Sequence, residues 1–136
     1  MKQEAIRIIR IAAALIDDEA GRLLLVRKRR TLWFMQAGGK IEAGESAIAA
    51  LQRELFEEVG LSIADNEARH LGRFPAPAAN EADSKVEADV FHIRTSAKIE
   101  MQSEIEEAVW VSRSEALSMP LAPLTRDHVL PLSYGL

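Results

Sequence analysis

Three glutamates, Glu54, Glu57 and Glu58, stand within five consecutive positions of the chain. On a helix turning by ~100° per residue they fall at about 0°, −60° and +40°, so three carboxylates crowd one arc. Like charges spaced four apart repel, at a cost of about a few tenths of a kcal/mol. Anions are also disfavoured near the negative end of the helix dipole, where Glu57 and Glu58 lie. Stability alone would favour lysine there. The conflict is resolved if the arc holds a divalent cation: hard oxygen ligands suit Mg²⁺ or Mn²⁺, which bind a few carboxylates and keep waters and phosphate oxygens. Arg53, four residues before Glu57, is spaced to pair with it and hold it in position. The competing reading is a solvated acidic face, because acidic surface helices are common.

The elements that must position this arc are legible around it. Ser46 to Val59 reads as a helix, with Ile48, Leu51, Leu55 and Val59 forming one apolar stripe. Gly60 stands where a C-terminal glycine belongs. Glu45 sits at the positive helix end, and Gly38, Gly39 and Gly44 allow tight turns and close ligand approach. Upstream, Ile6–Ile16 suits a strand buried on both faces. Asp17–Gly21 supplies turn residues, and Leu23–Val26 completes what reads as a β-hairpin. Arg27 to Arg30 is a basic cluster containing Lys28. It reads either as a solvated strand end or as a phosphate contact at a site mouth. Trp33, in Leu32–Met35, reads as packing rather than a stacking platform. Downstream, 69–74, 86–94 and 108–111 read as strands, Pro75 to Asn80 as a loop, and 114–117 and 125–132 as short helices. Strands mixed with two or three helices mean α/β or α+β, with helices flanking a mixed sheet.

Composition bounds the chemistry. With 136 residues and 48% hydrophobic content the chain suits one domain, 1–136, with a real core. There is no cysteine, which removes disulfides, thiolate metal sites and a cysteine nucleophile, and fits a reducing compartment. A net charge of −4 argues against polymeric nucleic acid but allows a mononucleotide whose charge a metal balances. No apolar run reaches the ~18 residues of a membrane helix. Met1-Lys2-Gln3-Glu4 does not resemble an export signal. The expectation is a cytoplasmic protein acting on a small molecule, with no membrane or nucleic-acid partner; a homodimer stays open.

The spacing around the arc is more specific than the arc itself. Gly39 is followed after five residues by Glu45, then after seven by Arg53-Glu54, Leu55, Phe56, Glu57-Glu58, Val59, Gly60 and Leu61. All seven fixed and both aliphatic positions of the Nudix box are present, a match expected by chance on the order of once in 10⁸. The chain thus resembles the Nudix hydrolase family, in its small MutT-like form. The box spans 23 residues, and the strand order around it is similar to that family's α/β/α sandwich throughout.

The resemblance implies metal-dependent hydrolysis of a nucleoside diphosphate linked to another group. It implies metal ligation by Glu54, Glu57 and Glu58, joined by the backbone carbonyl of Gly39, with Mg²⁺ the expected ion and Mn²⁺ an alternative. It also implies a further glutamate on a late loop as ligand or general base, for which Glu104 and Glu107 are the candidates. Arg27, Arg29, Gly38, Gly39 and Lys40 are the expected substrate contacts. One departure is Ala37 where many relatives carry proline, a rigidity device that ligates nothing. The small size favours a nucleoside triphosphate cut to the monophosphate and pyrophosphate. An ADP-ribose-like nucleotide sugar is the alternative, with Pro77 the weak signal for it. A non-catalytic nucleotide sensor is a third reading, disfavoured because every box carboxylate is kept. His70, His92 and His128 form no metal pattern. Arg126 is a further candidate for a phosphate contact.

Overall fold

A computed structural model describes residues 6–136, so the expectation for Met1–Glu4 lies outside it. Seven strands form one mixed sheet: β1 (Arg7–Asp17), β2 (Leu23–Lys28), β3 (Phe34–Met35), β4 (Ala37–Lys40), β5 (Arg69–Pro77), β6 (Ser84–Arg94) and β7 (Ile105–Val111). The helices are α1 (Ala47–Val59), α2 (Arg113–Ala116) and α3 (Leu130–Ser133), the last entered through a π-helical turn at Thr125–Val129. The central pair is parallel, β1 alongside β6 from Arg7↔Ser84 to Asp17↔Arg94. The remaining pairings are antiparallel: β1 with β2 and β4, β2 with β3 and β7, and β5 with β6.

Period-two alternation explains why β1 and β2 lie in the middle. Ala12, Ala14, Ile16, Leu24 and Val26 point to one face and pack against Leu51, Leu55 and Val59 of α1. Ala13, Leu15, Leu23 and Leu25 point to the other and pack against Leu121, Leu124, Val129 and Leu130. Both faces are therefore covered, an α/β/α arrangement. Truncating a residue such as Leu55, which is fully buried, to alanine would cost about 2–5 kcal/mol.

The metal-candidate helix is closed at both ends by its own sequence. The Ser46 hydroxyl accepts from the Ala49 amide at 3.2 Å, satisfying one free donor of the first turn. At the other end Gly60 takes φ 71°. There its amide donates to Phe56 O and the Leu61 amide to Leu55 O, each at 3.2 Å. This is the paired bond pattern that glycine makes inexpensive at a helix C-terminus.

Three local expectations change. The β1–β2 hairpin is paired at Asp17↔Leu23 alone, because β4 takes the middle of β1 and β7 takes β2. Pro75, Ala76 and Pro77 belong to β5 rather than to a loop. Proline is tolerated there because β5 ends the strand order beside β6 and leaves one side of its backbone unpaired. The segment 125–132 is an interrupted helix, wider at Thr125–Val129 than an α-turn. Among the described residues no helix is long and apolar enough to cross a membrane.

Candidate active site

Strand β4 brings the two glycines directly against α1. At Gly38, φ is +147° and an added Cβ would stand 2.1 Å from Ala12 O, so no other residue fits without moving β1. At Gly39 an added Cβ would stand 2.5 Å from Cδ of Glu54. The missing side chain therefore leaves the space that the Glu54 carboxylate fills. The Gly38 amide donates to Glu58 Oε1 at 2.9 Å in a buried bond.

Glu58 is the electrostatic centre of this corner. It is 6% exposed, and burial pushes its carboxyl up to about 7. The Gly38 bond and the Lys28 ammonium, 4.0 Å from Oε2, act in the opposite direction. The carboxylates of Glu54 and Glu104 push it up further. A buried acid beside two more acids is a site short of positive charge.

Arg53 organises the approach to it. Its guanidinium donates twice to Glu45, at 2.9 and 2.8 Å, to Glu54 Oε1 at 2.7 Å, and to the Lys40 carbonyl at 3.0 Å. Glu57, the partner expected from helical spacing, is farther away at 3.8 Å and half exposed. A planar fork reaches a loop carboxylate and a carbonyl together, which outweighs one contact along the helix. Glu45 is held down to about 2 by Arg53 and by the Glu42 amide. Arg53 thus ties the loop from Lys40 to Ser46 onto α1.

A cleft of about 160 Å³ opens from this corner between the sheet and the C-terminal segment. Lys28, Gly38, Gly39 and Lys40 lie along it, and Ile9, Ile11 and Val86 give it apolar walls. Lys28 is therefore shared between the cleft and Glu58. Lys40 also pairs with Glu81 across the rim, at 3.4 Å.

The other expected residues separate into two groups. Glu104 reaches Glu58 electrostatically, and its carbonyl accepts from the Arg29 amide at 2.8 Å. Glu107 instead faces Arg27 across β2 and β7, with nitrogens at 2.8 and 2.7 Å from its Oε1. Arg27 also donates to the Thr31 carbonyl at 2.8 Å, and the exposed Arg29 lies 3.8 Å from Glu106. Arg126 is exposed and paired with its neighbour Asp127. His70 and His92 sit on strands with Asp89 and Asp17, and His128 packs beside Phe74.

Among the described residues no three carboxylate or imidazole groups are already converged tightly enough to hold a metal. Arg53 draws the Glu54 carboxylate toward Glu45, and Lys28 stands against Glu58. The donor set nonetheless fits a hard cation. It is all oxygen, Glu54 lies against the Gly39 backbone, and the buried Glu58 lacks a compensating charge in full contact.

Sequence reasoning missed one polar pair on the cleft wall. The Thr125 hydroxyl donates to Gln36 Oε1 at 2.7 Å, both residues buried and both lining the cleft. They are 89 positions apart, and no local pattern connects them. A threonine just after Pro123 reads from sequence as the start of a helix and nothing more.

A model of the NUDIX domain matches residues 7–132. The chain is 32% identical over 123 residues to the CTP pyrophosphohydrolase of Escherichia coli (strain K12), covering 86% of this chain and 85% of that protein. It is 36% identical over 75 residues to the 8-oxo-dGTP diphosphatase of Haemophilus influenzae, covering 52% and 55% of the two. Among solved structures, the MutT protein from Methanosarcina mazei Go1 superposes with a TM-score of 0.76 at 25% identity, over 98% of this chain and 97% of that one.

Proposed function

This chain belongs to the Nudix hydrolase family, and from that premise we propose that it hydrolyses a nucleoside triphosphate to the monophosphate and pyrophosphate in a Mg²⁺-dependent reaction. The observation that carries the reading is the continuity of cleft and carboxylate corner: Lys28, Gly38 and Gly39 belong to both. A nucleotide in the cleft would lead its phosphates toward Glu54 and Glu58. The names of two relatives, a CTP pyrophosphohydrolase and an 8-oxo-dGTP diphosphatase, support a triphosphate substrate.

Glu54, Glu57, Glu58 and the Gly39 carbonyl are the groups proposed to hold the metal. When bound, the metal supplies charge neutralisation on the phosphates and a more acidic water. The chain's own residues do the rest. Lys28 offers a point charge to a phosphate, and Arg53 fixes Glu54 and the loop before α1. Glu104, close to Glu58 on the late loop, is favoured as the proton-accepting group over Glu107, which is occupied by Arg27. Lys40 stands at the rim as an outer phosphate contact, and the exposed Arg29 is proposed as a second. One domain, 1–136, carries the activity in the cytoplasm. A homodimer is compatible with this reading and contributes nothing required by it.

The test is product analysis with Mg²⁺ present. Equal release of nucleoside monophosphate and pyrophosphate from a triphosphate is expected. Release of orthophosphate, or cleavage of ADP-ribose with every triphosphate inert, overturns the reading.

A further inference from the structure

The cleft wall contains a buried amide whose orientation is set by a neighbour. Gln36 lies between β3 and β4, 8% exposed, and accepts the Thr125 hydroxyl through Oε1. Thr125 is 2% exposed and opens the π-helical turn. Widened turns of this kind often mark functional positions. A threonine hydroxyl has one proton to give, and here Gln36 Oε1 takes it. Turning the amide over would make the hydroxyl the acceptor of the amide NH2 and oblige its own buried proton to find another partner.

The fixed end determines the free end. With Oε1 engaged, the Gln36 Nε2 group is the part left to face outward. No bond joins it to another described residue, while no buried side-chain nitrogen or oxygen among those residues lacks a partner. Nε2 therefore reaches open space, and the space beside Gln36 is the cleft. The flanking walls, Met35 and Leu124 among them, are apolar and suit a flat ring. A donor fixed in an apolar wall favours a ligand edge bearing an acceptor and disfavours one bearing an amino group, since two donors would face each other unpaired.

We propose that Gln36, oriented by Thr125, is a specificity-determining residue that presents an N–H donor to the base and selects bases carrying a carbonyl over those carrying an amino group at that edge. The inference rests on the reading of the cleft as a nucleotide site. Thr125 is a positioning residue: it acts on the base only through the amide it holds.

The experiment compares kcat/KM for inosine against adenosine triphosphate and for uridine against cytidine triphosphate. The members of each pair differ by a carbonyl-for-amino exchange and, at the adjacent ring nitrogen, by an N–H in the carbonyl member against an acceptor in the amino member. In the wild type the carbonyl member is expected to be preferred by about tenfold or more in the better-accepted pair. Gln36→Glu keeps the bond from Thr125 and turns an acceptor into the cleft, so the preference should vanish or reverse. Thr125→Val keeps volume and releases the amide, so the ratio should fall toward one while kcat for the better substrate changes less than the ratio. Should Gln36→Glu fail to fold, Thr125→Val carries the test alone. A wild-type preference for the amino members, or a ratio unchanged in Thr125→Val, overturns the inference and leaves triphosphate hydrolysis standing. Failure of the wild type to cleave any of the four, with ADP-ribose cleaved, overturns the functional reading and this inference together.

Discussion

The Gly38 amide donates to Glu58 Oε1 at 2.9 Å, joining strand β4 to the last turn of α1 through a buried bond. This contact explains how a carboxylate persists inside the protein at all. A backbone donor and the Lys28 ammonium partly offset a burial cost that still pushes Glu58 up to about 7. It also makes the position of Glu58 a property of the sheet as well as of the helix.

The buried carboxyl of Glu58 makes the stability of the metal-free protein depend on pH. The folded-state value of Glu58, about 7, lies above its ordinary value of 4.5. The folded protein therefore binds more protons than the unfolded chain between these values, and stability falls as pH rises through that window. The stabilising contribution is complete below the ordinary value and lost above about 7, an effect of about 3 kcal/mol. Metal-free protein unfolded chemically at a series of pH values should show this decline relative to Glu58→Gln. Parallel curves for the two proteins would contradict it.

The glycines separate by mechanism. Gly39→Ala brings a methyl against the far end of the Glu54 side chain, which can swing away. Stability should change by about 1 kcal/mol, while turnover should fall by about tenfold to a hundredfold as the carboxylate is displaced. Gly38→Ala meets the Ala12 backbone at a φ that alanine rarely adopts, so it should fail to fold or lose about 3 kcal/mol or more. Thermal melts and activity on the same preparations distinguish the two. An inactive, fully stable Gly38→Ala would count against this reading of β4.

Arg53→Lys keeps the charge and loses the fork. The bonds to Glu45, Glu54 and the Lys40 carbonyl cannot all be kept by one ammonium. Turnover should fall by about tenfold or more, and the loop from Lys40 to Ser46 should become more susceptible to proteolysis. Unchanged activity together with an unchanged cleavage pattern would remove Arg53 from its organising role.

Much of this was legible in the sequence because it is local. The apolar stripe of α1, its Ser46 and Gly60 ends and the carboxylate arc all follow from spacing along one helix. The doubly buried half of β1 was readable because Ala12 to Ile16 carries no polar residue, whereas Ile8, which the same reading would bury, is exposed. What was not legible depends on strand register and on distant segments. Arg27 meets Glu107 only because β2 lies beside β7, and an irregularity of register falls between Arg27 and Lys28. The depth of Glu58 is set by β4 and Lys28, not by its place in the helix. Arg53 chose Glu45 over Glu57 because a folded loop offered two oxygens in one plane. Gln36 and Thr125 meet in the cleft wall with nothing between them in sequence to announce it.

If the α1 carboxylates hold a divalent cation for triphosphate hydrolysis, Glu58→Gln should lose turnover and Mg²⁺ response together when both are measured on one preparation. Glutamine keeps the size and can still accept from Gly38, so the fold should persist and the metal-free protein should hold or gain stability near neutral pH. Turnover should fall by about a hundredfold or more, near 3 kcal/mol of lost transition-state stabilisation. The thermal shift produced by Mg²⁺ in the wild type should shrink in the variant, because only ligands of the folded state move the equilibrium. A Glu58→Gln protein with wild-type turnover and a wild-type response to Mg²⁺ would contradict the claim and return the arc to an acidic surface.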